Sequence, residues 1–263
     1  LEGYLSLLKA DLENVENILR NSLRHKFQNY SPEPASMPFH TRLLGKDRMA
    51  LFSFIHSLNT NFGTSIFEPV AVTIASANFT IASSQQTAGT QISSESQKVI
   101  QNIMDGLAKA DISPNKPDEI HSIRAVCRQG EMKTVKPTKV DIKLVGHNRT
   151  IYLIDLKTAK PNAGGFKEFK RTLLEWIATT LASNPEADVQ SFIAIPYNPY
   201  EPQPYNRWTI RGMLDLTEEL KVANEFWDFL GGEGAYNQLL DCFERIGIEL
   251  RPEIDHYFNR YLQ

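Results

Sequence analysis

The stretch KVDIKLVGHNRTIYLIDLK, residues 139–157, decides how the rest of the chain is read. Val140, Asp141, Ile142, Lys143 and Leu144 alternate apolar and polar, which is the period of a half-buried strand. His147, Asn148 and Arg149 make a polar turn. Residues 151–154 are bulky and apolar, and the run ends in Asp155, Leu156 and Lys157. Alternation, turn and buried run together predict a β-hairpin. Asp155 and Lys157 are two apart, so they share one face of the second strand. Asp141 lies on the first strand, where either common hairpin register brings it near Asp155.

Two carboxylates and a lysine at the edge of an apolar sheet suit one chemistry well. A carboxylate pair binds a hard divalent cation such as Mg²⁺, which prefers oxygen ligands and keeps several waters. Such a cation neutralises phosphate charge and acidifies water. A lysine beside it orients that water and adds positive charge where phosphate charge develops. The pattern is that of a phosphodiester-hydrolysis site. It resembles the PD-(D/E)XK nuclease signature, here Asp141 followed by Asp155-Leu156-Lys157, although the proline nearest the first acid is Pro137. The competing reading of an Asp-x-Lys pair is a solvated strand end with a surface ion pair of little energetic value.

Composition sets outer limits. The 263 residues suffice for one large unit or two small ones, and 41% hydrophobic residues build a substantial core. A net charge of −3 argues against a non-specific nucleic-acid coat protein, whose affinity rests on phosphate neutralisation. It leaves room for an enzyme with a local basic cleft. Two cysteines, Cys127 and Cys242, give no disulfide framework and suit a reducing cytoplasm, the expected location. No apolar run is long enough to span a membrane. There is no zinc-spaced Cys/His cluster and no phosphate-cradling glycine loop, so no organic cofactor is expected.

Upstream of the hairpin, residues 1–29 read as a helix with an apolar stripe through Leu5, Leu8, Leu12, Val15, Ile18, Leu19 and Leu23. It packs either on the core or on a second subunit. Residues 31–40 form a proline-rich linker. A helix is expected over 47–58, broken at 59–64, with a second helix running from about 64 to 75 and Pro69 in its first turn. Glu68 sits there on an otherwise apolar surface. It is either a first-turn glutamate favoured by the helix dipole or a third acid carried to the metal site. Residues 76–98, rich in Ser, Thr, Gln and Asn, read as a partly ordered loop, either plain surface or a strip that contacts DNA. A helix follows at 99–110, then a turn-rich link, and residues 120–128 read as the first central strand.

Downstream, the loop TAKPNAGG places Lys160 and Asn162 to meet a phosphate backbone. Residues 166–182 form an amphipathic helix with Lys167, Lys170 and Arg171 in its first half. Cations there oppose the helix dipole, so they need anionic partners: DNA phosphate, or Glu168 and Glu175 on the same helix. Residues 189–196 form a buried strand, and the helix before it is the crossover that a parallel pair needs. The segment PYNPYEPQPYNRW, residues 196–208, is irregular. It is either a DNA-reading loop, with Asn198, Gln203, Asn206 and Arg207 suited to base edges, or a rigid arm packing its tyrosines on the body. Residues 213–263 read as helical.

Three stretches together, PFHTRLLGKDRMALFSFIHSLNTNFGTSIFE, VDIKL…IYLIDLKTAKPN and EFWDFLGGEG, resemble the TdeIII-type type II restriction endonucleases, over about residues 38–251. The resemblance implies an α/β fold of the PD-(D/E)XK type: a mixed central sheet flanked by helices, with helical additions at both ends. One nuclease domain over 1–263 is expected, with a leading helix at 1–30, a catalytic core at 40–200, and a Pro/Tyr arm with C-terminal helices at 196–263. The resemblance also implies Mg²⁺-dependent cleavage of double-stranded DNA at a short palindrome of the GGNCC type. Carried over by motif, Asp141 and Asp155 are metal ligands, Lys157 is the catalytic lysine, and Glu68 is the helix-borne acid. A palindrome implies a two-fold homodimer. G·C pairs favour Arg or Lys as base readers, making Arg207, Arg211 and Lys160 the candidates. The alternatives are a repair or structure-selective nuclease, a DNA-binding domain with a dead site, and a plain interaction protein.

Overall fold

The computed structural model describes residues 7–31, 37–136, 138–157, 165–205 and 212–260, with the side chains of 60 and 61 left aside. Its centre is a five-stranded mixed sheet of β1 (Ile81–Thr87), β4 (Lys139–Val145), β5 (Ile151–Leu156), β6 (Val189–Ile195) and β7 (Leu220–Val222), in that order. The expected hairpin is β4 (Lys139–Val145) and β5 (Ile151–Leu156), antiparallel, with Ile142 opposite Ile154 and Val145 opposite Ile151. The turn closes on itself. Gly146 and Thr150 are linked through the backbone, and the Asn148 carboxamide accepts the Thr150 N–H. β6 (Val189–Ile195) runs parallel to β5, and β7 (Leu220–Val222) parallel to β6. The β5–β6 crossover is α7 (Phe166–Ser183).

Both faces of the sheet are covered, which is why β5 and β6 carry apolar residues at both parities. One core joins Leu153, Val189, Ile193 and Ile195 to Leu173, Ile177 and Leu181 of α7, Ile100 and Met104 of α5 (Ser94–Lys109), and Ile120 and Ile123 of α6 (Lys116–Val126). The other joins Ile142, Ile154, Phe192 and Ala194 to Val15 and Leu19 of α1 (Lys9–Asn29), Val70 and Ile74 of α4 (Glu68–Ala75), Phe226 and Trp227 of α8 (Asn224–Gly231), and Cys242 and Ile246 of α9 (Ala235–Glu249). The leading helix α1 therefore packs on its own core. Arg20–Glu249 and Arg24–Glu253 tie its outer face to α9 and α10 (Arg251–Asn259).

Several elements differ from expectation. Residues 120–128 are not a strand: 120–126 belong to α6, and 127–128 form the turn after it. Asn115 caps it by accepting the Asp118 N–H, with a proline in the first turn, so the apolar residues 120 and 123 obey the helical period. Within the polar strip, β1 (Ile81–Thr87) pairs antiparallel with β4, and β2 (Gln91–Ser93) pairs with β3 (Met132–Thr134). The expected helical stretch at 213–263 begins only at 224, because residues 213–219 are turns and β7 follows them. The linker ends early, because α2 (Pro38–Leu44) begins there. The predicted helix break at 59–64 is absent: α3 (Lys46–Phe62) passes through a π-helical turn, Gly63–Phe67, into α4. Pro69 has no N–H for the Ser65 carbonyl, and Ser22 of α1 donates to that carbonyl instead.

Candidate active site

The β4–β5 register carries Asp141 opposite Asp155, so both carboxylates rise from one face of adjacent strands. Asp155 is buried and Asp141 half-buried. The Leu156 N–H donates to Asp141 Oδ2 at 2.9 Å, fixing that carboxylate against the end of β5. Lys157 Nζ donates to Asp155 Oδ1 at 2.7 Å and lies 4.6 Å from the centre of the Phe169 ring of α7. Burial pushes the Asp155 carboxyl up to about 6; Lys157 opposes the rise, and Asp141 adds to it. The three hairpin residues expected to converge do converge.

Glu68 joins them from the other side. The π-helical turn brings the start of α4 over the sheet, and Glu68 is only 4% exposed. Burial raises its pKa; a hydrogen bond from Gln85 lowers it, and the Asp141 charge raises it again. Gln85 Nε2 lies 2.8 Å from Glu68 Oε2 and 3.4 Å from Asp141 Oδ1, so one amide faces both acids. Sequence reasoning missed Gln85, because β1 shows no apolar alternation to mark it as a strand. Glu68, Asp141, Leu156 and Lys157 line a cleft of about 800 Å³, walled by His56, Asn59 and Phe67 on the helix side and by Pro196, Tyr197 and Pro199 opposite. The Trp227 indole N–H donates to the Pro196 carbonyl and anchors that wall.

The donor set is all oxygen. Among the described residues no three His, Cys, Asp or Glu side chains close around one point. Carboxylates spread across an open cleft leave part of a coordination shell to water, which fits Mg²⁺ and not a four-ligand zinc centre.

The expected DNA contacts fare unevenly. Lys160, Asn162, Arg207 and Arg211 lie outside the described residues. Lys167 is exposed on the first turn of α7. Arg171 is half-buried and donates to Gln101 of α5. Lys170 is a correction, because it is fully buried, 2.5 Å from both Glu119 Oε2 and Glu219 Oε2, and no phosphate reaches it. Lys116 completes this network with Glu219 and Ser191. In the Pro/Tyr segment, Asn198 serves its own turn, donating to the Gln203 carbonyl and accepting the Tyr200 N–H. Tyr200 and Tyr205 pack together at 5.8 Å, and Tyr205 rests on the core, as a rigid arm requires.

Comparison with known proteins supplies the family. Residues 9–247 match the family model described as type II restriction endonuclease, HinfI. The chain is 26% identical to the type II restriction enzyme HgiCII of Herpetosiphon aurantiacus, over 82% of this chain and 80% of that protein. It is 25% identical to the type II restriction enzyme MjaII of Methanocaldococcus jannaschii, over 97% of this chain and 74% of that one. A family match over residues 9–247 settles the class: the chain belongs to the HinfI family of type II restriction endonucleases and is a site-specific deoxyribonuclease.

Proposed function

We propose that this enzyme hydrolyses double-stranded DNA at a short palindrome of the GGNCC type, with Asp141, Asp155 and Lys157 as its catalytic group and Glu68 as a supporting acid. The observation that carries the reading is the convergence of Asp141, Asp155 and Lys157 at one strand end beneath Glu68. Asp141 and Asp155 would hold Mg²⁺, with Glu68 adding a third acid from α4 within reach of the same Gln85 amide as Asp141. Bound there, the ion supplies charge neutralisation at the scissile phosphate and acidifies water. Lys157 keeps its ammonium beside Asp155 by ion pair and ring contact, where it orients the attacking water and offsets phosphate charge. Leu156 N–H holds Asp141 in place throughout. Water attacks phosphorus in line with the P–O3′ bond: a new P–O bond forms as P–O3′ breaks, the water gives up one proton to solvent, and the departing 3′ oxygen takes one up, leaving 5′-phosphate and 3′-hydroxyl ends. Asp155→Ala tests the assignment: cleavage falls by three orders of magnitude or more while duplex binding persists. Loss of binding with retained cutting would refute it.

A palindrome is read by a two-fold pair of subunits. The surface that suits such a pair is the outer face of α2 and α3, where Phe39 is 85% and Leu43 82% exposed, and Leu51, Phe52 and Ile55 are exposed beside them. Exposed apolar side chains four apart on α2 and three or four apart on α3 suit an interaction surface. On α3, Phe52 stacks on His56, which lines the cleft, so a contact at Phe52 would sit beside it.

A further inference from the structure

We propose that Gln85 is a positioning residue whose side-chain amide stands in for the cation between Glu68 and Asp141, and releases them when a divalent ion binds. This deepens the metal-site reading and rests on it. An amide nitrogen carries two hydrogens and accepts nothing. Its distances of 2.8 Å to Glu68 Oε2 and 3.4 Å to Asp141 Oδ1 direct one hydrogen to each carboxylate. The other Asp141 oxygen accepts the Leu156 N–H, so Oδ1 is the one left for an ion. A divalent ion such as Mg²⁺ approaches carboxylate oxygens to about 2.0–2.1 Å, and an N–H cannot share that approach.

The backbone adds a second, independent sign. Gln85 has φ +55°, in the left-handed region. Its neighbours keep one unshifted register, Ser84 opposite Ile142 and Gln86 opposite Val140, so no inserted residue accounts for the turn of the chain. A non-glycine residue there stores about 1 kcal/mol or more of strain, and such strain gathers at functional sites. The two carboxylate contacts offset it.

The experiment uses the full chain without DNA. Ca²⁺ binding is measured by calorimetry, and unfolding temperature is measured with and without Ca²⁺, for wild type, Gln85→Ala and Gln85→Met. Gln85→Ala removes the competitor, so Ca²⁺ binds about tenfold tighter, the factor expected for one charge-assisted hydrogen bond. The metal-free variant unfolds at a lower temperature, and Ca²⁺ restores more of it than in wild type. Gln85→Met keeps the side-chain length but loses the donor without adding charge; it gives the same pattern if the alanine variant does not fold. Equal or weaker Ca²⁺ binding by the variants overturns the inference. So does an equal fall in unfolding temperature with and without Ca²⁺, the outcome of a merely structural role in β1. A wild type that binds no divalent ion overturns the metal-site reading itself, which is a separate and recognisable result.

Discussion

Lys167 and Lys170 lie on one turn of α7 and have opposite fates. Lys170 has two carboxylates within 2.5 Å and no contact with solvent. Removing one member of a buried charge network leaves the others uncompensated, at a cost of about 3–5 kcal/mol. Lys170→Met therefore lowers the urea midpoint sharply. Lys167→Ala changes stability by less than about 0.5 kcal/mol; if Lys167 meets a phosphate, that variant also reduces the salt slope of duplex binding by about 1. Glu219 gives the network a pH signature. Burial alone would raise its pKa, but Lys116 and Lys170 together hold it below the usual carboxylate range. A depressed carboxylate contributes stability that is present above its unfolded value of about 4.3 and is lost as pH falls through its folded value. Glu119 is shifted the other way by burial and partly offsets this. Unfolding by urea from pH 7 to 3 thus shows a steeper acid loss in wild type than in Glu219→Gln. Parallel curves would remove Glu219 as the cause.

At the scale of elements, α6 depends on its first turn. Asn115→Ala deletes the side-chain acceptor for Asp118 N–H and costs about 1 kcal/mol, measured by denaturant titration. The same cap shows why the sequence misled there. Asn115, Pro117, Asp118 and Glu119 are helix-start signals, but they fall in a segment that also reads as a turn, and the apolar residues after it suit a strand equally well. The hairpin was legible because period and turn chemistry agree, and the two-residue spacing then placed Asp155 and Lys157 without tertiary information. Glu68 was legible as a position but not as a contact, since its partner Gln85 comes from an edge strand whose polar residues carry no alternation. Lys170 was misread because its partners lie 51 and 49 residues away, and only the fold brings them together. Likewise the π-helical turn that aims Glu68 at the sheet depends on Ser22, 43 residues earlier, to satisfy the Ser65 carbonyl.

For the whole molecule, the apolar face of α2 and α3 bears on subunit association. Phe52→Glu with Leu43→Glu is expected to yield monomers by light scattering at concentrations where wild type is dimeric, and to reduce double-strand cutting while the fold persists. A wild type that is monomeric at all concentrations would contradict the two-fold reading. The proposed metal-dependent, sequence-specific cutting site of Asp141, Asp155 and Lys157 is tested by digesting a long, fully sequenced duplex with wild type and Asp155→Ala, in Mg²⁺ and in EDTA, and sequencing the fragment ends. Discrete wild-type fragments are expected in Mg²⁺ alone, sharing one short palindrome of the GGNCC type and carrying 5′-phosphates, with an uncut duplex in the other three reactions. Cutting that survives EDTA or the loss of Asp155, or fragment ends with no common sequence, would contradict that site assignment.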